Sequence, residues 1–213
     1  MKLLSKSKYL LGIQCHRQIW VNFNQPEKIP EIDIHVQHRF DEGHEVGELA
    51  KQLFPGGIDL PTEDFMGNIQ LSEASLKEGK PLFEPGFMTE DKLYSRGDIL
   101  VPNDDGWDIV EVKSSTKVKE INIHDVSFQR YVYEQKGMKI KNCYLMHLNN
   151  QYVRDGELDV EELFTKTDIT SEVDEIYSKV PELAEDMKEV IDDPILPDNK
   201  IGPQDRKSGS AEM

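Results

Sequence analysis

The stretch from Arg96 to Lys113 constrains the fold more than any other part of this chain. It reads Arg96-Gly97-Asp98-Ile99-Leu100-Val101, then Asn103-Asp104-Asp105-Gly106, then Trp107-Asp108-Ile109-Val110-Glu111-Val112-Lys113. Two apolar, β-branched runs joined by Asp-Gly turn chemistry predict an antiparallel hairpin. Side chains alternate across a strand, so Glu111 and Lys113 share one face. Asp98, near the start of the first strand, falls beside the end of the second. The hairpin therefore brings two carboxylates and one ammonium group to one edge.

The flanking segments predict the rest of the fold. Helices are expected over Ser5–Val21, Asp33–Leu53 and about Glu63–Glu78. Strands are expected over Leu82–Met88, Leu93–Val101 and Trp107–Ser114. A helix over Ile123–Gln135 ends at Gly137, and Lys141–Leu148 returns to strand. Asn149-Asn150 turns into a short strand, Gln151-Tyr152-Val153, and a last helix covers Ser171–Ile191. This order predicts an α/β fold, a mixed β-sheet flanked by helices. Four regions follow: an N-terminal helical region over 1–80, a β-β-β-α-β core over 81–153, an acidic hairpin and helix over 154–191, and a flexible tail over 192–213.

A chain of 213 residues is long enough for one domain with a real core. No run approaches the length of a membrane span. The N-terminus has no long apolar stretch, so no signal peptide and a cytoplasmic location are expected. Net charge is −16, which argues against indiscriminate binding to polyanions. Between Asp155 and Asp198 lie sixteen acidic and three basic residues. In contrast, Lys113, Lys117, Lys119, Arg130, Lys136, Lys139 and Lys141 cluster in the middle, and a local basic groove is expected there. Cys15 and Cys143 are far apart and build neither a disulfide framework nor a four-ligand zinc site.

The chemistry of the hairpin edge suits a divalent cation. Mg²⁺ prefers oxygen ligands and keeps several waters. Asp98 and Glu111 supply carboxylates, and the backbone carbonyl of Val112 supplies a third oxygen. Lys113 is placed to orient a water or to stabilise a phosphorane-like transition state. Gln129 and Tyr133, spaced i, i+4, share one helix face. Together with Arg130 they are candidates to hold phosphate or sugar oxygens.

Arg-Gly-Asp-Ile-Leu, Glu-Val-Lys-Ser-Ser and Gln-x-x-x-Tyr together resemble the PD-(D/E)XK nuclease superfamily. Within it the chain is similar to the RecB-type branch that includes CRISPR-associated exonucleases. Tyr9-Leu10-Leu11-Gly12-Ile13-Gln14-Cys15 resembles the N-terminal signature of that branch. Phe40-Asp41-Glu42-Gly43-His44-Glu45-Val46-Gly47 and Leu145-Met146-His147-Leu148-Asn149 resemble a bacterial subgroup, so the likeness covers about residues 5 to 204. It implies a restriction-endonuclease-like fold and cleavage of DNA, at ends or on single strands, with Mg²⁺ or Mn²⁺. It assigns Asp98 and Glu111 as metal ligands, Lys113 as the catalytic lysine, and Gln129 and Tyr133 as the substrate-facing pair.

Two departures from the family pattern stand out. Cluster-bearing relatives carry an N-terminal cysteine and three more near the C-terminus. Here Cys15 is present, but no cysteine follows Ile201-Gly202-Pro203-Gln204, so no iron–sulfur cluster is expected. The pattern that carries a metal-binding histidine on an early helix is met by Gly43-His44-Glu45-Val46, but the next residue is Gly47. His44 is the nearest candidate ligand, with Glu48 and Glu84 as alternative carboxylates. His124 and His147 read as structural. Two other functions stay open: an inactive nucleic-acid-binding module on the same fold, and a domain that binds a protein partner through the acidic segment.

Overall fold

The computed structural model describes residues 2–31 and 33–198. In chain order the elements are β1 (Leu4–Ser5), α1 (Lys6–Gln14), α2 (His16–Asn24), α3 (Ile34–Lys51), β2 (Ile58–Asp59), α4 (Phe65–Ser75) and β3 (Leu82–Phe83). Then come β4 (Gly86–Met88), β5 (Leu93–Arg96), β6 (Ile99–Asn103), β7 (Gly106–Lys113), α5 (Glu120–Gln135) and β8 (Ile140–Leu148). The last are α6 (Val160–Leu163), β9 (Phe164–Asp168), α7 (Thr170–Tyr177) and α8 (Val180–Asp192). The expected flexible tail falls largely outside the described residues.

Six strands form one mixed sheet in the order β2-β3-β6-β7-β8-β9. β7 and β8 are parallel, with α5 as their crossover, while β6–β7 and β8–β9 are antiparallel. The expected mixed sheet flanked by helices is what forms. Period-2 alternation gives the sheet two apolar faces. Leu82, Leu100, Ile109 and Leu145 pack with Val126, Val132 and Tyr133 of α5 in the larger core. Phe83, Ile99, Val110, Val112 and Met146 pack with Ala50 of α3 in the smaller one. Glu111 is two residues from Ile109, so it shares the face covered by α5.

The two strands expected over Leu82–Met88 and Leu93–Val101 do pair with each other, but each is broken once. β3 pairs with β6 in the six-stranded sheet, whereas β4 pairs with β5 in a second sheet of three strands, β1-β5-β4. The breaks lie across from each other, at Glu84-Pro85 and at Gly97-Asp98. Glu84 sits at φ 58°, a left-handed conformation that is costly for a residue with a Cβ. Tyr133 pins the bend: its hydroxyl donates to the Pro85 carbonyl at 2.9 Å and accepts from the Gly97 N–H at 2.9 Å. A Cβ on Gly97 would lie 2.7 Å from the Tyr133 hydroxyl and would strike the Gln129 side chain. Glycine is required there for close approach, not for an unusual φ.

Other differences from the sequence reading have local causes. The first helix is two, because Cys15 is extended (φ −162°, ψ 116°) between α1 and α2. Trp20 is thereby turned to donate to the Asp193 carbonyl at 2.7 Å, while Gly12 of α1 lies against Met187 of α8. The last helix is also two, and Pro181 in the first turn of α8 marks the break. The turn at Asp104-Asp105 has two residues, and its positive φ falls on Asp104 rather than on Gly106. Gly106 is needed because a Cβ there would lie 2.5 Å from the Lys139 carbonyl oxygen. The strand expected over Gln151–Val153 does not form. The edge strand is instead β9, which has a single buried apolar residue, Phe164, and so little periodic signal.

If the Tyr133 hydroxyl holds the bend, Tyr133→Phe should destabilise the protein by about 1 kcal/mol, since the Gly97 N–H and the Pro85 carbonyl lose their side-chain partner but keep each other. Thermal or urea melts of the two proteins would show it. Gly97→Ala should cost more, and a Gly97→Ala protein as stable as the parent would show that the close approach is not maintained.

Candidate functional site

The strand break decides where the first carboxylate points. Asp98 lies just after it, and its Oδ2 accepts from the backbone N–H of Val112 at 2.6 Å. That bond ties the start of β6 to the end of β7 and sets Asp98 beside Glu111. Glu111, 1% exposed, sits under α5. Lys113 follows two residues later on the same face, with its Nζ 2.5 Å from Glu111 Oε1. The hairpin edge thus brings Asp98, Glu111 and Lys113 together, as its pattern predicts.

Two further residues belong to the cluster and are absent from the sequence reading. Lys6, in the first turn of α1, places its Nζ 2.9 Å and 3.0 Å from the two Glu111 oxygens. Asp125 of α5 accepts from Lys113 at 2.9 Å through Oδ2. Its Oδ1 lies 3.2 Å from Lys6 Nζ, without the alignment of a hydrogen bond. The two ammonium groups and the Glu111 and Asp125 carboxylates therefore form a closed ring of charges. Gln129 completes it, with Nε2 donating to Glu111 Oε2 at 2.8 Å.

Asp125 had a signal, since it precedes Gln129 and Tyr133 at the same four-residue spacing on α5. Lys6 had none, because it meets Glu111 across 105 positions of chain.

The remaining candidates are placed differently from expectation. Gln129 and Tyr133 do share a face, but it points into the protein, and Tyr133 is fully buried on backbone groups of the bend. Arg130 is turned away from the cluster. It binds Glu134 at 3.1 Å and Asp174 of α7 at 2.5 Å, and its guanidinium lies over the Tyr177 ring. His44 is exposed on α3 and lines a neighbouring cleft of about 470 Å³ with Glu48, Lys51, Glu84 and Arg96. Glu84 pairs with Arg96 there at 3.1 Å. Among the described residues no three His, Cys, Asp or Glu side chains converge at metal-binding spacing, so His44 does not join Asp98 and Glu111.

The expected basic groove does not form either. Lys136 pairs with Glu73, and Lys139 and Lys141 both pair with Asp105 at the hairpin turn. His147 contacts the Leu148 carbonyl and the Thr167 hydroxyl, in keeping with its structural reading.

The electrostatics of the two hairpin carboxylates diverge. Burial would raise the pKa of Glu111, but the adjacent ammonium groups of Lys113 and Lys6 outweigh it and hold the side chain well below the carboxylate range. Asp98 is pushed up to about 7, by burial first and by the charge of Glu111 second. Asp125 is also raised by burial and by Glu111. One carboxylate is thus held anionic while its neighbour takes up a proton readily. Such divergent pairs are typical of sites that carry charge for a purpose, although structural ion-pair networks also produce them.

The folded protein holds the Asp98 proton more tightly than the unfolded chain does. Stability attributable to Asp98 is therefore greatest below the ordinary aspartate range and is lost as pH rises to about 7. With chelator present, Asp98→Asn should melt above the parent at about pH 8, by roughly 2–4 °C for each kcal/mol relieved. The gain should vanish near pH 4, where both side chains are neutral. Equal melting curves at both pH values would remove the burden assigned to Asp98.

No family model matches the chain, and no curated protein matches it. Among solved structures it is similar to an alkaline exonuclease from Laribacter hongkongensis, at 12% identity and a TM-score of 0.49 over 89% of each chain. It is also similar to SSO0001, at 13% identity and a TM-score of 0.35 over 88% of this chain and 87% of that one. No helix among the described residues is long and apolar enough to cross a membrane.

Proposed function

We propose that the chain is a metal-dependent DNA nuclease of the PD-(D/E)XK type, hydrolysing phosphodiester bonds at ends or on single strands. The observation that carries this reading is the hairpin edge, where Asp98 and Glu111 meet beside the Lys113 ammonium group. The donor set fits a hard divalent ion. Two carboxylates meet there, one is held anionic, and Mg²⁺ keeps waters in its remaining positions. Asp98, Glu111 and the carbonyl of Val112 would hold Mg²⁺ or Mn²⁺. The ion supplies charge neutralisation at a phosphate and a more acidic bound water.

The chain's own residues do the rest. Asp125 and Glu111 fix the Lys113 ammonium group, whose third N–H can hold a phosphate oxygen. Gln129 and Lys6 fix the orientation of Glu111. Tyr133 acts at one remove, by holding the bend that presents Asp98.

One observation favours a second reading, a nucleic-acid-binding module without activity. Lys6 already bridges Glu111 and Asp125, so the cluster is charge-balanced by the protein itself.

Cleavage of labelled linear single- and double-stranded DNA with Mg²⁺ or Mn²⁺ tests the two readings. The parent should cut. Glu111→Gln, which keeps the volume and some hydrogen bonds of the buried side chain, should cut at least about 100-fold more slowly, as should Lys113→Met. Both should retain the parent's circular dichroism spectrum. Parental rates in either variant would refute the assignment, and binding without cutting by the parent would establish the second reading.

A further inference from the structure

A second cleft, of about 410 Å³, opens between the start of α1 and α4. It borders the cleft that holds His44 and Glu84, and the two share Thr62 and Arg96. On a chain of net charge −16, no acidic residue lines this second cleft. Lys6, paired with Glu111 and Asp125, and Arg96, paired with Glu84, are its cations, and the hydroxyls of Ser5 and Ser7 lie 3.1 Å apart on its wall.

The other wall carries two aromatic rings. Phe65 and Tyr94 lie with centroids 4.8 Å apart, tilted at 57°. Phe65 is 39% exposed, and Met66 beside it is 52% exposed. Both stand in the first turn of α4, while the buried positions of that helix are Asn68, Ile69, Ser72 and Ser75. Core packing therefore does not account for Phe65. Lys6 links this cleft to the charge cluster, since it lines the cleft and contacts Glu111 directly.

We propose that this cleft is a binding track for single-stranded polynucleotide, with a base stacked on Phe65 and Tyr94. The adjoining phosphates lie against Arg96, Ser5 and Ser7. Aromatic faces beside cations and hydroxyls match a chain whose bases are unpaired and whose backbone is anionic. In a duplex the base faces are already stacked on each other, so the platform discriminates against paired substrate. A strand on this track is led along Lys6 to Asp98 and Glu111. The proposal deepens the nuclease reading and rests on it for the direction of the strand, not for the binding itself.

The test is fluorescence anisotropy with labelled oligothymidylate, oligouridylate and a blunt duplex, in chelator so that no cutting occurs. The parent should bind oligothymidylate more tightly than duplex. Phe65→Ala and Phe65→Leu should each weaken that binding by about tenfold, the loss expected for one stacked base. Duplex affinity and thermal midpoint should be unchanged. Phe65→Tyr should restore the affinity. An equal loss on oligouridylate supports a stacking contact that needs neither the deoxyribose nor the thymine methyl group.

The proposal is overturned if the parent does not bind oligothymidylate, if Phe65→Ala and Phe65→Leu bind it within about twofold of the parent, or if duplex binding falls equally. The two readings fail separately. Phe65 variants that bind like the parent, with Glu111→Gln inactive, remove the track and leave the nuclease. Phe65 variants that lose oligonucleotide binding, with Glu111→Gln as active as the parent, do the reverse.

Discussion

A carboxylate buried on a central strand beneath a helix is the constraint on which this structure turns. An isolated charge in Glu111's position would cost several kcal/mol in lost hydration. It is retained because Lys6, Lys113 and Gln129 all reach it. Those partners come from α1, β7 and α5, so satisfying one side chain fixes three elements relative to one another. Asp125 extends the same logic, since Lys6 and Lys113 would otherwise bring two positive charges together against a single negative one. A network of this kind is costly when any member is missing. That is the physical reason for the close cooperation between the N-terminal helix and the sheet.

The bend in the hairpin is the second device. Had β3–β4 and β5–β6 run on as continuous strands, Asp98 would have been one more alternating position in a ladder. The paired breaks at Glu84-Pro85 and Gly97-Asp98 release it to bond the Val112 N–H instead. The backbone still pairs across the bend, from the Gly97 N–H to the Pro85 carbonyl at 3.1 Å, and the Tyr133 hydroxyl bonds both groups as well. The left-handed Glu84 lies at the same place, and strain of this sort persists only where surrounding contacts hold it. Positioning of the charged edge and strain in the backbone thus have one origin.

Several cations of this acidic chain are paired where they stand. Lys139 and Lys141 brace the hairpin turn through Asp105, Lys136 meets Glu73, and Arg130 joins α5 to α7. The cleft beside α1 has no carboxylate in its own lining, but both of its cations are paired, Lys6 with Glu111 and Asp125 and Arg96 with Glu84. Net charge therefore says little about that surface. A local field across a narrow cleft decides what approaches it, and distant acidic residues are screened beyond about 10 Å at ordinary salt.

Elements with strong local signals were legible in the sequence. The hairpin around Asp104-Asp105, the helix ending before Gly137 and the mixed sheet all follow from periodicity and turn chemistry. Period-2 alternation alone puts Glu111 and Lys113 on one face, and proximity in the hairpin brings Asp98 to them. The helix break at Cys15, with no proline or glycine beside it, was not legible, nor was β9, whose pattern is short and polar. For the site, tertiary structure decided what spacing leaves open. It turned Gln129 and Tyr133 inward, drew Arg130 to α7, and left His44 in the neighbouring cleft. It also supplied Lys6 from the far end of the chain. Local sequence determines which residues share a face, because that depends on backbone geometry over a few residues. Which face is buried, and which distant side chain neutralises the charge on it, depends on the packing of the whole chain.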